Sequence, residues 1–179
     1  MKKKIVEIAH DLLHELAEES DRLVDFTCGQ GFDTYAMAQW VSKGEVIAFD
    51  IQEKAINETR ARCQDMPWVR VICKSHELVD EEVGRFKAGI FNCGYLPHGD
   101  KRITTHSEGV IAALKKALPL LQQNGRLVLV MYPGFEAGKQ ESLDVEEYVM
   151  NLPARDFDVL KIQLLNRNYA PYILMIDRK

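Results

Sequence analysis

The sequence predicts an α/β protein in which helices cover both faces of a mostly parallel sheet. Short apolar segments alternate along the chain with segments whose apolar residues recur every three or four positions, the spacing of one helix face. Such alternation is typical of strand–helix–strand crossovers, which produce parallel strands. The last two apolar segments are joined by a short link, so we expect them to form an antiparallel pair.

Each element follows from this pattern. The segments predicted as strands are 22–26, 45–50, 69–73, 86–93, 125–132, 157–166 and 170–179. The segments predicted as helices are 3–18, 32–41, 52–64, 104–121 and 138–151, with Thr104 or Thr105 as N-cap of the fourth. No repeat, low-complexity stretch or linker interrupts the series, so we expect the 179 residues to form a single domain.

Composition and charge are ordinary for a soluble globular protein. The net charge of -4 gives no overall attraction to nucleic acid, so any RNA contact would need a local basic surface. The four cysteines form no C-x-x-C pair, which argues against a zinc site or a redox motif. Residues 1–20 carry acids within an apolar pattern, unlike a secretory signal, and no apolar run approaches the length of a membrane span. We therefore expect a cytoplasmic protein without a membrane segment or a metal.

Residues 25–34, DFTCGQGFDT, directly follow the first predicted strand and open a helix. Gly29 and Gly31 allow a sharp turn and a close backbone approach to a ligand, at the edge where open α/β sheets bind ligands. The loop lacks the third glycine of a dinucleotide site, and Asp33 would disfavour a diphosphate. The segment suits a cofactor that carries an ammonium group; the alternative is a purely structural turn.

The second and third predicted strands end in residues that suit an adenosine. Asp50 ends the second strand 19 residues after Gly31, where an acid can accept hydrogen bonds from both ribose hydroxyls, and Ile51 can lie against adenine. The alternative role for Asp50 is a helix N-cap. After the third strand, Ser75 and His76 can lie at the adenine edge or belong to a short capped helix with a surface histidine.

The fourth predicted strand leads into residues 91–105, FNCGYLPHGDKRITT, a segment rich in turn formers. Asn92 stands at the strand end, where its amide oxygen can accept a hydrogen bond from a substrate amine. Tyr95 can stack on a base, and Lys101 and Arg102 can contact phosphate. The alternative is an ordinary surface loop.

These segments resemble the signature segments of a known family. Residues 25–34, 48–56, 74–77 and 91–105 are similar to those of small bacterial S-adenosylmethionine-dependent methyltransferases labelled as rRNA methylases, and GYLPHGDKRITT is the most specific of them. Characterised members methylate tRNA at the wobble uridine, converting a 5-aminomethyl group to 5-methylaminomethyl. The resemblance implies the class I methyltransferase fold, a Rossmann-like sheet of seven strands with the last strand antiparallel. It implies no metal, and some members are dimers.

The resemblance also implies where S-adenosylmethionine binds. The matching positions are Thr27, Cys28, Gly29, Gln30, Gly31, Asp33, Asp50, Ile51, Gln52, Ser75 and His76. We predict Asn92, Tyr95 and Asp100 as catalytic residues. We predict Tyr95, Lys101, Arg102 and Thr104 as substrate-binding residues that contact a tRNA anticodon loop or another RNA.

Methyl transfer to an amine needs a neutral amine and a proton acceptor, because an alkylammonium is mostly protonated near neutral pH. Asp100 is a candidate acceptor, although it can instead cap the loop or pair with Lys101. Cys28 and Cys93 flank the site and are interpreted as buried thiols rather than nucleophiles. The sequence departs from related patterns at Thr27, where glycine is common, and at Pro133, where the family often has histidine.

Several alternatives stay open at this level. A second basic set is either an RNA-facing patch or a solvated surface: Lys115, Lys116, Arg155, Lys161 and Arg167. Asn166 and Asn168 either contact RNA or form a hairpin turn. The same cofactor site would serve an rRNA or a small-amine methyltransferase. A nucleotide-binding module without catalysis is the third hypothesis, against which the polar segment after Asn92 argues.

Overall fold

One seven-stranded sheet organises the computed structural model, which describes residues 4–93 and 106–179. The strands are β1 (Arg22–Asp25), β2 (Glu45–Asp50), β3 (Val69–Cys73), β4 (Phe86–Asn92), β5 (Leu121–Met131), β6 (Phe157–Ile162) and β7 (Tyr172–Arg178). Their order is β3-β2-β1-β4-β5-β7-β6. Strand β7 runs antiparallel to β5 and β6, and the other pairs of neighbouring strands are parallel. The predicted mostly parallel sheet with an antiparallel last strand is therefore confirmed.

Helices lie on both faces of this sheet. They are α1 (Ile5–His14), α2 (Phe32–Trp40), α3 (Glu53–Arg62), α4 (Val79–Glu82), α5 (Ser107–Leu120) and α6 (Glu136–Met150), and a 3₁₀ turn (His76–Leu78) precedes α4. Leu23 and Val46 pack in an apolar cluster with α1 and α2, whereas their neighbours Val24 and Ile47 pack in another with α5 and α6. Alternate strand residues thus face opposite layers, and both faces are buried. No helix in the two described ranges is long and apolar enough to cross a membrane.

Several element boundaries differ from the predictions; for example, α1 ends at His14 rather than at 18, and β6 ends at Ile162 rather than at 166. The turn and helix at residues 76–82 are too short to show a helical period, so the sequence pattern did not reveal them as separate elements. Strand β5 begins at Leu121 rather than at 125, because Asn124 takes a left-handed φ of 57° inside the strand instead of ending it. Helix α5 begins at Ser107 with His106 as its N-cap; the predicted caps lie outside the described residues.

The carboxyl ends of β1 to β5 meet at one edge of the sheet because these strands are parallel. The terminal residues are Asp25, Asp50, Cys73, Asn92 and Met131. Asp25 and Asn92, which are 67 positions apart in the chain, are brought together there, and the candidate site lies at this edge.

Candidate cofactor and active site

The loop between β1 and α2 is a tight turn with both glycines in left-handed backbone. The φ angle is 50° at Gly29 and 77° at Gly31. A β-carbon on Gly31 would lie 2.8 Å from the Cα of Thr59 in α3, so the helix leaves no room for a side chain. Thr59 Oγ1 donates to the Gly29 carbonyl at 3.2 Å. Both glycines therefore provide the left-handed turn, and Gly31 is also needed for its close packing against α3.

Arg62 of α3 contacts this loop through a hydrogen bond and a ring contact. Its Nε donates to the Gln30 carbonyl at 2.8 Å, and its guanidinium carbon lies 3.7 Å from the centre of the Phe32 ring. The side chain of Phe32 nevertheless stays 58% exposed. Neither Thr59 nor Arg62 was predicted as part of the site, because helical spacing alone does not show which residues of α3 face the loop.

Asp50 joins the end of β2 to the glycine loop. Its Oδ2 accepts from the Gly29 N–H at 3.0 Å, and its Oδ1 accepts from the Gln52 N–H at 2.9 Å. Gln52, not Asp50, is the N-cap of α3. Each carboxylate oxygen has a further lone pair, so Asp50 keeps acceptor capacity on both oxygens. Ile51 follows with 59% of its side chain exposed, an uncovered apolar surface beside that carboxylate.

A fully buried carboxyl, Asp25, lies beneath the loop. It accepts hydrogen bonds from Thr34 Oγ1 at 2.6 Å and from the Thr27 N–H at 3.1 Å. Burial, with a further contribution from the nearby Asp33 carboxylate, raises the pKa of Asp25 to about 7. Asp25 was not among the predicted site residues, although an acid that ends a strand before a glycine loop is a recognisable signal.

The Thr27 side chain, at the position where the resemblance implies a common glycine, makes a hydrogen bond to the neighbouring strand end. Its Oγ1 accepts from the backbone N–H of Asn92 at 2.8 Å, which joins the glycine loop to the end of β4. Among the described residues, left-handed φ angles outside glycine occur at Asn124 and Tyr169, so Thr27 needs no such conformation. Threonine instead of glycine at position 27 is therefore compatible with the turn.

Asn92 lies in a chain of hydrogen-bonded side chains at the centre of the edge. Its Nδ2 donates to Asp33 Oδ2 at 2.9 Å, and the Tyr132 hydroxyl donates to its Oδ1 at 2.8 Å. At the other end, His10 Nε2 donates to Asp33 Oδ1 at 2.6 Å. Within the described part of the chain, each Asp33 oxygen thus has one hydrogen-bond partner and one lone pair remaining. His10 and Tyr132 were not predicted, because no local sequence pattern connects them with Asn92.

Ser75 and His76 lie at the end of β3, as the alternative of a short capped helix requires. Ser75 Oγ accepts from the Glu77 N–H at 3.2 Å and caps the 3₁₀ turn. His76 is half-buried rather than on the surface, with its Nδ1 donating to the Phe26 carbonyl at 3.0 Å. Burial lowers the pKa of His76, so the ring is neutral and its Nε2 is an acceptor.

The two cysteines near the site are buried packing groups. Cys28 is 4% exposed and packs with Ala48 and Ile56, and its burial raises the pKa of the thiol. Cys93 is fully buried in the cluster on the α5 and α6 side. Both thiols are inaccessible, and that of Cys28 is protonated, which favours the predicted structural role over a nucleophilic one.

The remaining predicted residues fall in 94–105, outside the described part of the chain. They are Tyr95, Asp100, Lys101, Arg102 and Thr104. Within the described ranges, no group of three or more histidine, cysteine, aspartate or glutamate side chains is arranged to hold a metal ion.

Comparisons with known proteins relate this chain to one family. The family model described as "Putative rRNA methylase" matches residues 46–177. A chloroplastic tRNA (mnm(5)s(2)U34)-methyltransferase of Arabidopsis thaliana is 34% identical, over 99% of this chain and 70% of the relative. An rRNA-methylase structure from Clostridium thermocellum, also described as putative, is 34% identical with a TM-score of 0.96, and the similarity covers 100% of both chains.

A second solved structure carries a ligand. It is a protein from Streptococcus mutans described as a "putative methyltransferase" in complex with SAH, 31% identical with a TM-score of 0.91, again over 100% of both chains. The predicted class I fold and the predicted cofactor are thereby confirmed. Since the family model matches most of the chain and these relatives span it throughout, the chain belongs to the rRNA methylase family of S-adenosylmethionine-dependent methyltransferases.

Proposed function

We propose that this chain methylates the 5-aminomethyl group of a tRNA wobble uridine and converts it to 5-methylaminomethyl. The observation that carries the proposal is the Asn92 amide at the carboxyl end of β4, held at both its nitrogen and its oxygen beside Asp33. Such an amide can accept an N–H of an amine substrate, a donor that a ring-carbon nucleophile lacks. The Arabidopsis relative, which acts on a modified U34 according to its name, supports the same substrate class.

The residues present fit S-adenosylmethionine at three points. Asp50 has a free lone pair on each oxygen for the ribose hydroxyls, and the exposed Ile51 offers an apolar surface to adenine. Asp33 supplies a carboxylate for the ammonium of the methionine moiety, while Gly29 and Gly31 let the backbone approach the ligand. Thr27, Cys28, Gln30, Gln52, Ser75 and His76 belong to the same edge, and their predicted contacts form part of this proposal.

The chain's own residues have to align an amine and keep it neutral. When bound, S-adenosylmethionine supplies a methyl group on a positively charged sulfur, which needs alignment and water exclusion rather than further activation. Asn92 Oδ1 accepts an N–H of the amine and so directs the nitrogen lone pair. The nitrogen that gains the methyl group must then lose a proton, and Asp100 remains the predicted acceptor. An amide holds the neutral amine without the charge that would stabilise an ammonium.

The turn between β6 and β7, residues 163–171, supports an RNA substrate. Because Tyr172 pairs with Met131 in antiparallel register, this turn lies at the carboxyl end of β5, on the edge that holds Asn92. Tyr169 takes a left-handed φ of 56° and leaves 65% of its side chain exposed. A bulky residue in this conformation is strained, and strain of this kind is concentrated at functional positions.

The surroundings of Tyr169 suit a nucleobase. Lys139 Nζ lies 5.9 Å from the centre of the ring, and Arg167 is exposed in the same turn. Residues 163–171 contain no acid. An exposed aromatic ring with cations beside it is the usual platform on which a base stacks while phosphates are neutralised. We include Tyr169, Lys139 and Arg167 in the RNA-facing surface.

The other predicted basic residues contribute less to that surface. Lys116 Nζ lies 2.9 Å from Asp80, and Lys161 Nζ lies 2.7 Å from Glu146, so their charges are partly satisfied within the protein. This pairing favours the solvated-surface alternative for both lysines. Two more line a groove beside the end of α5, at the opposite edge of the sheet: Lys115 and Arg155.

Under this proposal residues 1–179 act as one catalytic domain in the cytoplasm, where tRNA and reduced thiols are found. An rRNA substrate is the second candidate, because the matching family is described by that activity. A methyltransferase for small amines would use the same cofactor site.

The test is mass spectrometry of nucleosides after incubation of the purified protein with S-adenosylmethionine. The substrates are tRNA carrying 5-aminomethyl wobble uridines, unmodified rRNA, and a panel of small primary amines. We expect one added methyl on the wobble nucleoside alone. Methylation of rRNA without methylation of tRNA would replace the proposal by the second candidate. No product on any substrate, with the cofactor still bound, would favour a binding module without catalysis.

A further inference from the structure

The amide of Asn92 can adopt only one of its two orientations. The atom that lies 2.9 Å from Asp33 Oδ2 must be Nδ2, because a carboxylate accepts hydrogen bonds and donates none. Rotating the amide by half a turn would bring two acceptor oxygens together at this distance. Oδ1 therefore faces Tyr132, whose hydroxyl donates to it at 2.8 Å.

Each of the two groups that flank this amide, Tyr132 and Asp33, is fixed in its hydrogen-bonding role. Burial raises the pKa of Tyr132 to about 12, so the phenol stays protonated and remains a donor near neutral pH. Asp33 is held from its other side by His10 of α1, whose Nε2 lies 2.6 Å from Asp33 Oδ1. Among residues 4–93 and 106–179, the Asn92 amide thus uses one N–H and one lone pair for protein hydrogen bonds, which leaves one of each.

We propose that the Tyr132 hydroxyl is a positioning group for methyl transfer, which holds the Asn92 amide so that its remaining Oδ1 lone pair is directed at the substrate amine. The inference rests on the proposed function, since it requires an amine that Asn92 accepts. Without the Tyr132 donor, Oδ1 can accept from water instead and the amide is held only through its Nδ2, so the lone pair of the substrate amine loses its in-line direction. Alignment of this kind affects the chemical step more than binding.

The chain offers a matched control for the loss of a buried phenol. Tyr172 is 6% exposed, and its hydroxyl donates to Glu146 Oε2 at 2.9 Å. It packs in the apolar cluster on the α5 and α6 face, whereas Tyr132 packs against the cluster on the α1 and α2 face. Tyr172→Phe therefore removes an equivalent hydroxyl without touching the Asn92 network.

The first experiment compares Tyr132→Phe, Tyr172→Phe and wild type on tRNA carrying 5-aminomethyl wobble uridines. We expect Tyr132→Phe to lower kcat roughly tenfold, the effect of one net hydrogen bond, with KM for tRNA and Kd for S-adenosylmethionine within about twofold of wild type. Tyr172→Phe should keep the wild-type kcat. A wild-type kcat in Tyr132→Phe, or the same loss in both variants, would overturn the inference.

The second experiment needs no RNA. The side-chain amide resonances of Asn92 are recorded in nitrogen-15-labelled protein saturated with S-adenosylhomocysteine. We expect them to move in Tyr132→Phe and to stay in place in Tyr172→Phe; unmoved resonances in Tyr132→Phe would overturn the inference. If wild type fails to methylate the tRNA while these resonances respond as expected, the proposed substrate is wrong and the positioning of Asn92 by Tyr132 stands.

Discussion

Substituting alanine for Gly31 should destabilise the protein, for two reasons that can be separated. Gly31 has a φ of 77°, a conformation that costs an L-residue roughly 1–2 kcal/mol. The new β-carbon would also lie 2.8 Å from the Cα and 2.9 Å from the Oγ1 of Thr59, closer than such atoms approach one another. Since the nearest of these atoms is backbone, α3 must move, and overpacking of this kind costs about 1–3 kcal/mol.

The sum is a loss of about 2–5 kcal/mol in the free energy of unfolding, a large share of a typical domain's stability. Urea unfolding followed by circular dichroism would measure it. With a slope of roughly 2 kcal/mol per molar urea, the midpoint should fall by about 1–2.5 M at unchanged slope. Binding of S-adenosylmethionine should weaken as well, because the displaced loop carries the Gly29 N–H that holds Asp50.

Gly109 of α5 provides the control. Its backbone is helical, and a β-carbon there would meet first the end of the flexible Glu77 side chain, at 3.1 Å. Gly109→Ala should therefore leave stability unchanged or raise it by up to about 1 kcal/mol. If Gly31→Ala proved as stable as Gly109→Ala, the packing of the loop against α3 would not be what requires glycine, and the reasoning would fail.

Three further predictions concern the same edge of the sheet. In the folded protein the pKa of Asp25 is about 7, above its ordinary value of 3.8. Cofactor-free wild type should therefore have its greatest stability relative to Asp25→Asn below about pH 4, and it should lose that advantage as the pH rises towards 7. Urea midpoints for both proteins across this range would measure the difference. Asp50→Asn should weaken S-adenosylmethionine binding by about 1.5–3 kcal/mol in calorimetry, the value of hydrogen bonds to a charged group. The control Asp65→Asn, at an exposed position, should bind the cofactor like wild type. Equal affinities for wild type and both variants would remove Asp50 from the cofactor site. Tyr169→Ala should raise KM for tRNA by roughly tenfold, as expected for one lost stacking contact, and should leave cofactor affinity intact. Tyr169→Phe, which keeps the ring, should have the wild-type KM for tRNA. The same KM for tRNA in wild type and both variants would exclude stacking on this ring.

The succession of strands and helices along the chain and the candidate ligand-binding edge could be predicted because each depends on short-range patterns. Alternating apolar segments mark strands that are buried on both faces, and the residue after each segment marks the strand's carboxyl end. Asp50 and Asn92 could therefore be assigned to a common edge although 42 positions separate them. The break predicted at residue 125 was wrong for a local reason, since Asn124 and Gly125 allow an irregular strand as readily as a turn.

Contacts between helices and strand ends could not be predicted in the same way. His10 reaches Asp33 across 23 positions, and Tyr132 reaches Asn92 across 40. Both contacts depend on how α1 and the end of β5 pack beside α2 and β4, and hydrophobic periodicity carries no information about which polar side chains such packing brings within hydrogen-bond distance. Thr59 and Arg62 were missed for the same reason, because their partners are backbone atoms of the loop.

The chain's local patterns are sufficient for its fold class, its family and the strand ends at which we propose that its cofactor binds. Glycines in a turn and acids after strands act through their own backbone position, which is a short-range property of the chain. The orientation of the Asn92 amide, the burial that raises the pKa of Asp25 and the exposure of Tyr169 follow only from the packed molecule. Hydrogen-bond direction and desolvation depend on atoms contributed by distant segments, and these atoms meet only when the helices close over the sheet.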